Sequence, residues 1–170
     1  MTDADVSLSA VSRSEGPLLG NLLELYIHDL SGVFEVSLGA DGRFGYPNLA
    51  SYLAGRSDRF AFLIRCGEDV AGFALVTRGS PLAEDPDVLD LAEYFVLRRF
   101  RGRGVGQAAA HLLWDRLTAK WTVRAAVIHP DAVAFWRAAV AAYRNATAME
   151  LERRLGSKDW VVFCFDSASR

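Results

Sequence analysis

The chain holds 170 residues, 51% of them hydrophobic and 24% charged, with a formal net charge of −2. That length admits one domain with a sizeable core and excludes two comfortable ones. The charge balance excludes a global basic field and so argues against nucleic acid or an anionic membrane as partner. Two cysteines, Cys66 and Cys164, are too few for a disulfide framework, and three dispersed histidines offer no ligand spacing, so no metal is expected.

From the N-terminus, Val6 to Val11 alternates as a strand, and Ser14, Glu15 and Pro17 form a helix-start signal. Leu18, Leu19, Leu22, Leu23 and Tyr26 then keep helical spacing up to about residues 29–32. Loop chemistry fills 39–47, and Asn48 opens a short second helix to Leu53. Phe60 to Gly79 reads as a hairpin turning at Gly67-Glu68-Asp69. A polar loop with two prolines leads to a strand over Val88–Leu97, and a helix follows from about Gly104 to Lys120. Thr122–Ile128 is a further strand, Asp131 to about Tyr143 a helix, and two strands close the chain at 146–155 and 159–166. The strand-helix-strand unit from Val88 to Ile128 should be a parallel crossover. The expected fold is α/β (α+β): a mixed, largely antiparallel central sheet of about seven strands with helices on both faces, in a single domain over 1–170. No charged start with an apolar run marks a signal peptide, and no apolar stretch is long enough to span a membrane. The expected compartment is the cytoplasm.

The densest chemistry lies in "FVLRRFRGRGVGQAAAHLL", Phe95 to Leu113, where four arginines and three glycines join a strand to a helix. The first N–H groups of a helix lack intrahelical partners, the helix dipole adds positive potential, and glycine lets backbone approach a ligand. Together with arginine this is a phosphate-holding arrangement. A Walker loop is excluded because no Gly-Lys-Ser/Thr follows. Gly104-Val105-Gly106-Gln107-Ala108-Ala109 fits a loose dinucleotide fingerprint, but it follows four expected strands and lacks the acidic residue about 20 positions on.

"RGRGVG", Arg101 to Gly106, resembles the R/Q-x-x-G-x-G/A signature of the GNAT N-acetyltransferase superfamily, in the same place after the fourth strand. "VAGFALV" at the end of the hairpin and "DAVAFW", Asp131 to Trp136, are similar to other segments of that family. The resemblance runs from Val6 to Phe165. It implies acetyl-CoA as cosubstrate, no metal, and an amine acceptor, either a small molecule or a peptide. In that family the fourth strand splays from its parallel neighbour at a bulge and pantetheine enters the gap. Phe95, Val96 and Leu97 would then face pantetheine, and Arg101, Arg103, Gly104, Val105, Gly106 and Gln107 would bind pyrophosphate. Arg98 or Arg99 would reach the 3′-phosphate or form a solvated rim. Backbone N–H near Val96 or Leu97 would serve as oxyanion donor.

Direct attack of an amine on a thioester needs a base, an oxyanion donor and a proton for the leaving thiolate. Simple alternation puts Leu89, Leu91, Glu93, Phe95 and Leu97 on one face of the fourth strand, with Glu93 interrupting an apolar stripe. Glu93 is the expected base; the alternative is an ion pair with Arg65 or Arg78. Asp90 is expected to be exposed, and Glu84, Asp85, Asp87 and Asp90 read as a solvated acidic loop. Trp136 stands where the family often has a tyrosine and His129 where it often has an asparagine. The thiolate's acid is therefore open between Tyr143, on the same helical face, and water. Trp114, Trp121 and Trp160 are expected in the core. His28, Asp29, Tyr46 and Tyr52 fall on the acceptor side by resemblance. A second reading is a non-catalytic acyl-CoA-binding sensor or scaffold, against which a lone carboxylate at position 93 argues. Edge strands at the C-terminus offer a possible homodimer contact.

Overall fold

A computed structural model describes residues 5–144 and 147–168. The strands are β1 (Val6–Ala10), β2 (Arg59–Cys66), β3 (Asp69–Arg78), β4 (Leu89–Val96), β5 (Lys120–Ala126), β6 (Met149–Leu155) and β7 (Lys158–Asp166). The helices are α1 (Gly16–Leu30), α2 (Leu49–Leu53), α3 (Val105–Arg116) and α4 (Pro130–Ala141). One seven-stranded sheet results, in the order β1-β2-β3-β4-β5-β7-β6. Every neighbouring pair is antiparallel except β4 and β5. The mixed, largely antiparallel sheet expected from the sequence is the one that forms. The expected strand start at residue 146 lies outside the described residues.

The sheet is covered on both faces. Leu19, Leu22 and Leu23 of α1 pack with Leu63, Phe73, Leu75 and Phe95, because the helical leucine spacing gives α1 one apolar side. On the opposite face Leu113 and Trp114 of α3 and Trp136 and Val140 of α4 pack on Val123 and Phe163. Trp114 and Trp121 are fully buried, as expected; Trp160 is only partly buried and lies under the Arg124 guanidinium.

Two irregularities interrupt the sheet along β4. The β3–β4 register shifts between Leu75 and Val76: Leu75 pairs with Glu93 and Val76 with Leu91, leaving Ala92 as an extra residue. The parallel β4–β5 pairing covers only Leu89–Leu91 against Trp121–Val123. Beyond Leu91 the two strands part.

Candidate active site

The bulge corrects the expected face pattern of β4. One extra residue inverts the alternation, so Leu89 and Leu91 join the core under α3 and α4 while Phe95 joins the core under α1 and α2. Glu93 falls on the α1 side with Phe95, and so does Asp90, whose partner Thr122 alternates with the core residues Trp121 and Val123. Asp90 is buried, at 1% exposure, and not exposed as expected. Its Oδ1 accepts hydrogen bonds from Ser80 Oγ at 2.8 Å and Thr122 Oγ1 at 2.7 Å, and Arg124 Nη2 lies 3.3 Å from Oδ2.

Glu93 makes neither of the ion pairs weighed from sequence. Arg65 pairs with Glu15 instead. Glu93 Oε2 accepts a hydrogen bond from the Tyr26 hydroxyl at 2.6 Å and Oε1 one from Tyr46 at 3.1 Å. Burial pushes its carboxyl above the usual range; the two hydroxyls and the Arg124 charge pull it part of the way back. Burial and the adjacent carboxylate raise the Tyr26 and Tyr46 phenols, and Tyr52 is pushed up to about 12 by burial first and Glu93 second. Both donors to Glu93 thus stay protonated at neutral pH.

Tyr26 comes from α1, where its ring packs on Phe73 and Phe95 at centroid distances of 5.6 and 5.8 Å. Tyr46 comes from the loop before α2, a loop anchored where Glu24 accepts the N–H groups of Phe44 and Gly45. Tyr26, Arg124, Ser80 and Thr122 are the residues that sequence reasoning missed. Tyr26 fits the apolar helical stripe, so its hydroxyl gave no separate signal. Arg124 lies inside an expected strand, where nothing in the neighbouring residues singled it out.

Beyond Ala92 the backbone of β4 opens toward the gap. Leu97 N–H donates to Ala71 O at 2.8 Å. Antiparallel alternation then directs Phe95 and Glu93 toward β3, and Tyr94 and Val96 toward the side that β5 has left. Leu97 N–H is therefore occupied, which corrects its assignment as an oxyanion donor; Val96 N–H faces the opening. Phe95 turns its backbone to β3 and buries its ring in the core under α1.

At the mouth of the gap, α3 begins without a side-chain cap, and Gly104 stands at its N-cap with φ of 79°. The first intrahelical bond runs from Ala108 N–H to Gly104 O, so the N–H groups of Val105, Gly106 and Gln107 have no acceptor in the helix. Nothing lies within 4 Å of where a Cβ at Gly102 or Gly104 would be, so the turn is open on its outer side. Of the arginines here, Arg98 and Arg101 both pair with Asp29 of α1, and Arg99 pairs with Asp69. Arg101 also donates from Nε to Val96 O at 2.6 Å and lies over the Phe95 ring. Burial alone would raise the Asp29 carboxyl, but the two arginines outweigh it and hold it below the usual range. Arg103 is exposed and has no ion-pair partner among the described residues.

On the other wall of the gap, the Phe135 ring lies close to Gly106, and Tyr94 stacks against Phe135 and donates its hydroxyl to Gly106 O. Trp136 is buried against Tyr94. The Tyr143 hydroxyl is bound to Asp115 Oδ1 at 2.7 Å and its ring packs on Trp114 within the core, which removes it from the gap.

An uncapped helix start, a strand pair that opens beside it, and a partly buried carboxylate at the bulge thus lie together on one chain. The chain belongs to the Acetyltransferase (GNAT) family, whose sequence profile matches residues 22–142, and it is an N-acetyltransferase by that membership. No curated protein sequence matches it. Among solved structures, it is similar to an acetyltransferase from Thermus thermophilus at 20% identity and TM-score 0.66, over 96% of this chain and 98% of the other. It also resembles AAC(6')-Ib in complex with ribostamycin and coenzyme A, at 15% identity and TM-score 0.66 over 95% and 93% of the two chains. A third is the ribosomal-protein-S18-alanine N-acetyltransferase from Escherichia coli, at 14% identity and TM-score 0.63 over 97% and 96%. At these identities the likeness is one of fold.

Proposed function

We propose that the protein transfers an acetyl group from acetyl-CoA directly to the amine of an acceptor, with Glu93 as general base. The observation that carries this reading is the opening between β4 and β5 immediately past Leu91, with Glu93 at its inner end and the free N–H groups of α3 at its mouth. The residues present suit acetyl-CoA. Val105, Gly106 and Gln107 offer backbone N–H to pyrophosphate, with Arg103 as the nearby unpaired cation. The gap-side backbone of Tyr94 offers strand hydrogen bonds to a pantetheine amide, as an added strand would, while Val96 O is already taken by Arg101. Arg101 serves from its place on Asp29 and Val96, fixing the turn, rather than as a free phosphate ligand.

The amine nitrogen attacks the thioester carbonyl carbon, the carbon–sulfur bond breaks, and CoA leaves as thiolate. Glu93 accepts the proton the nitrogen loses, and Val96 N–H, which faces the opening, stabilises the developing oxyanion. Water reprotonates the thiolate, since Tyr143 is committed to Asp115 and Trp136 has no acidic proton near neutral pH.

Calorimetric titration of acetyl-CoA tests the cosubstrate. Wild type should bind it, NADP should not compete, and an Arg103→Ala, Gly104→Val double variant should lose most of the affinity. Absence of binding to the wild type would refute the reading.

A further inference from the structure

The bulge that exposes Glu93 also shapes a cleft of about 410 Å³ on the α1 side of the sheet, a volume suited to a small molecule. Its charge is unlike what a polycationic amine needs. Asp90, one of its two carboxylates, takes hydrogen bonds from Ser80 and Thr122 on Oδ1 and faces Arg124 with Oδ2, which is buried and has no hydrogen-bond partner among the described residues, and Glu93 is held by Tyr26 and Tyr46. No other acid lines the cleft among the described residues.

Its cations are less well matched. Arg59 is the first residue of β2 and opposes Thr77, which in turn opposes Asp90, so these residues form one row across the sheet. The nearest carboxylate to Arg59 is Asp58, at 3.5 Å, but Arg56 already grips Asp58 with two hydrogen bonds of 2.8 and 2.9 Å. Arg124, with 16% of its side chain exposed, reaches Asp90 through Nη2 while its buried Nη1 has no partner. Arg78 at the rim has no ion-pair partner among the described residues. The Arg59 row lies two residues along β3 from the Glu93 row, about 7 Å by strand rise, while Arg124, two residues past Thr122, reaches back to Asp90 of that row through Nη2.

We infer that the acceptor is an amine carrying its own anion, a carboxylate or a phosphate, which Arg59 and Arg124 bind while the amino group meets Glu93. This rests on the acetyl-transfer reading and adds the acceptor's class to it. A cleft lined by three guanidiniums and two carboxyl groups has an excess of positive charge, which favours an oxyanion and repels a second ammonium.

The test is turnover of four amines of matched length with acetyl-CoA: butylamine, 1,4-diaminobutane, 4-aminobutanoate and 3-aminopropyl phosphate. The wild type should favour one of the anionic amines over butylamine by about tenfold or more in kcat/KM, the scale of one charge-assisted hydrogen bond, and mainly through KM. The order of the two anionic amines tells carboxylate from phosphate. Arg59→Gln should bring 4-aminobutanoate and butylamine near parity, and Arg59→Lys, which keeps the charge, should restore part of the preference. A preference for 1,4-diaminobutane, or an anion preference that survives Arg59→Gln, would overturn the inference and leave acetyl transfer standing. If no amine is acetylated, the acetyl-CoA titration decides whether acetyl transfer fails. The anion site is then decided by calorimetry of 4-aminobutanoate on CoA-saturated protein: heat lost in Arg59→Gln retains it, and no heat in the wild type discards it.

Discussion

A carboxylate withdrawn from water keeps its charge only if nearby dipoles or charges replace the lost hydration. Glu93 receives two phenol hydroxyls, enough to hold it in place but not enough to cancel the desolvation, so its carboxyl stays above the usual range. The native state therefore binds this proton more tightly than the unfolded chain does. The contribution to stability is full below the unfolded glutamate pKa and is lost as pH rises through the higher native value. Glu93→Gln removes that penalty, so at pH 8 the variant should melt no lower than wild type, while kcat falls by about 10²- to 10⁴-fold. Melting scans at pH 5 and 8 beside steady-state rates separate the two effects; unchanged kcat would remove Glu93 from the chemistry. Tyr26 acts on the same proton from the other side. Its hydrogen bond favours the ionised carboxylate, so Tyr26→Phe should move the acidic limb of kcat/KM to higher pH, whereas a structural role alone would lower activity without moving the limb.

At the scale of the element, β4 works because it is irregular, and its neighbour β3 has to tolerate that. A Cβ placed on Gly72 would sit 1.9 Å from Phe95 O, a backbone atom that cannot step aside. Gly72→Ala should therefore force β3 and β4 apart and cost several kcal/mol, on the order of an overpacked core or more, read as a fall in the urea midpoint. The sequence announced most of these elements. Alternation marked the strands, leucine spacing marked α1, and the glycine–arginine junction marked the start of α3. It did not announce Ala92 as a bulge, since an extra residue in a strand leaves no compositional trace, and that one residue inverted the face of everything before it. Asp90 was misjudged for the same reason. Glu93 was legible as a carboxylate in an apolar run, but its partners were not: Tyr26 and Tyr46 stand 67 and 47 positions away and meet it only through tertiary packing.

Over the whole molecule, the sheet is two pieces joined by a short seam. The meander β1–β4 and the group β5–β7–β6 share only the three parallel pairs from Leu89 to Leu91, and the rest of the boundary is the gap. The backbone groups of Tyr94 and Val96 on the gap side have no strand to bond, while those of Phe95 and Leu97 are paired with β3. Native-state hydrogen exchange should register this as an alternation along one strand, with Tyr94 and Val96 amides fast and Phe95 and Leu97 amides slow. A cosubstrate that completes the sheet must change that pattern and bind the folded state alone. With acetyl-CoA at about 100 times its Kd, linkage gives about 2.7 kcal/mol of added stability, or roughly 5–11 °C in Tm for a chain of this size. The Tyr94 and Val96 amides should become protected in the same sample. A rise in Tm with those two amides still fast would mean that acetyl-CoA binds at the α3 turn without entering the gap, and β4 would then have no part in holding it.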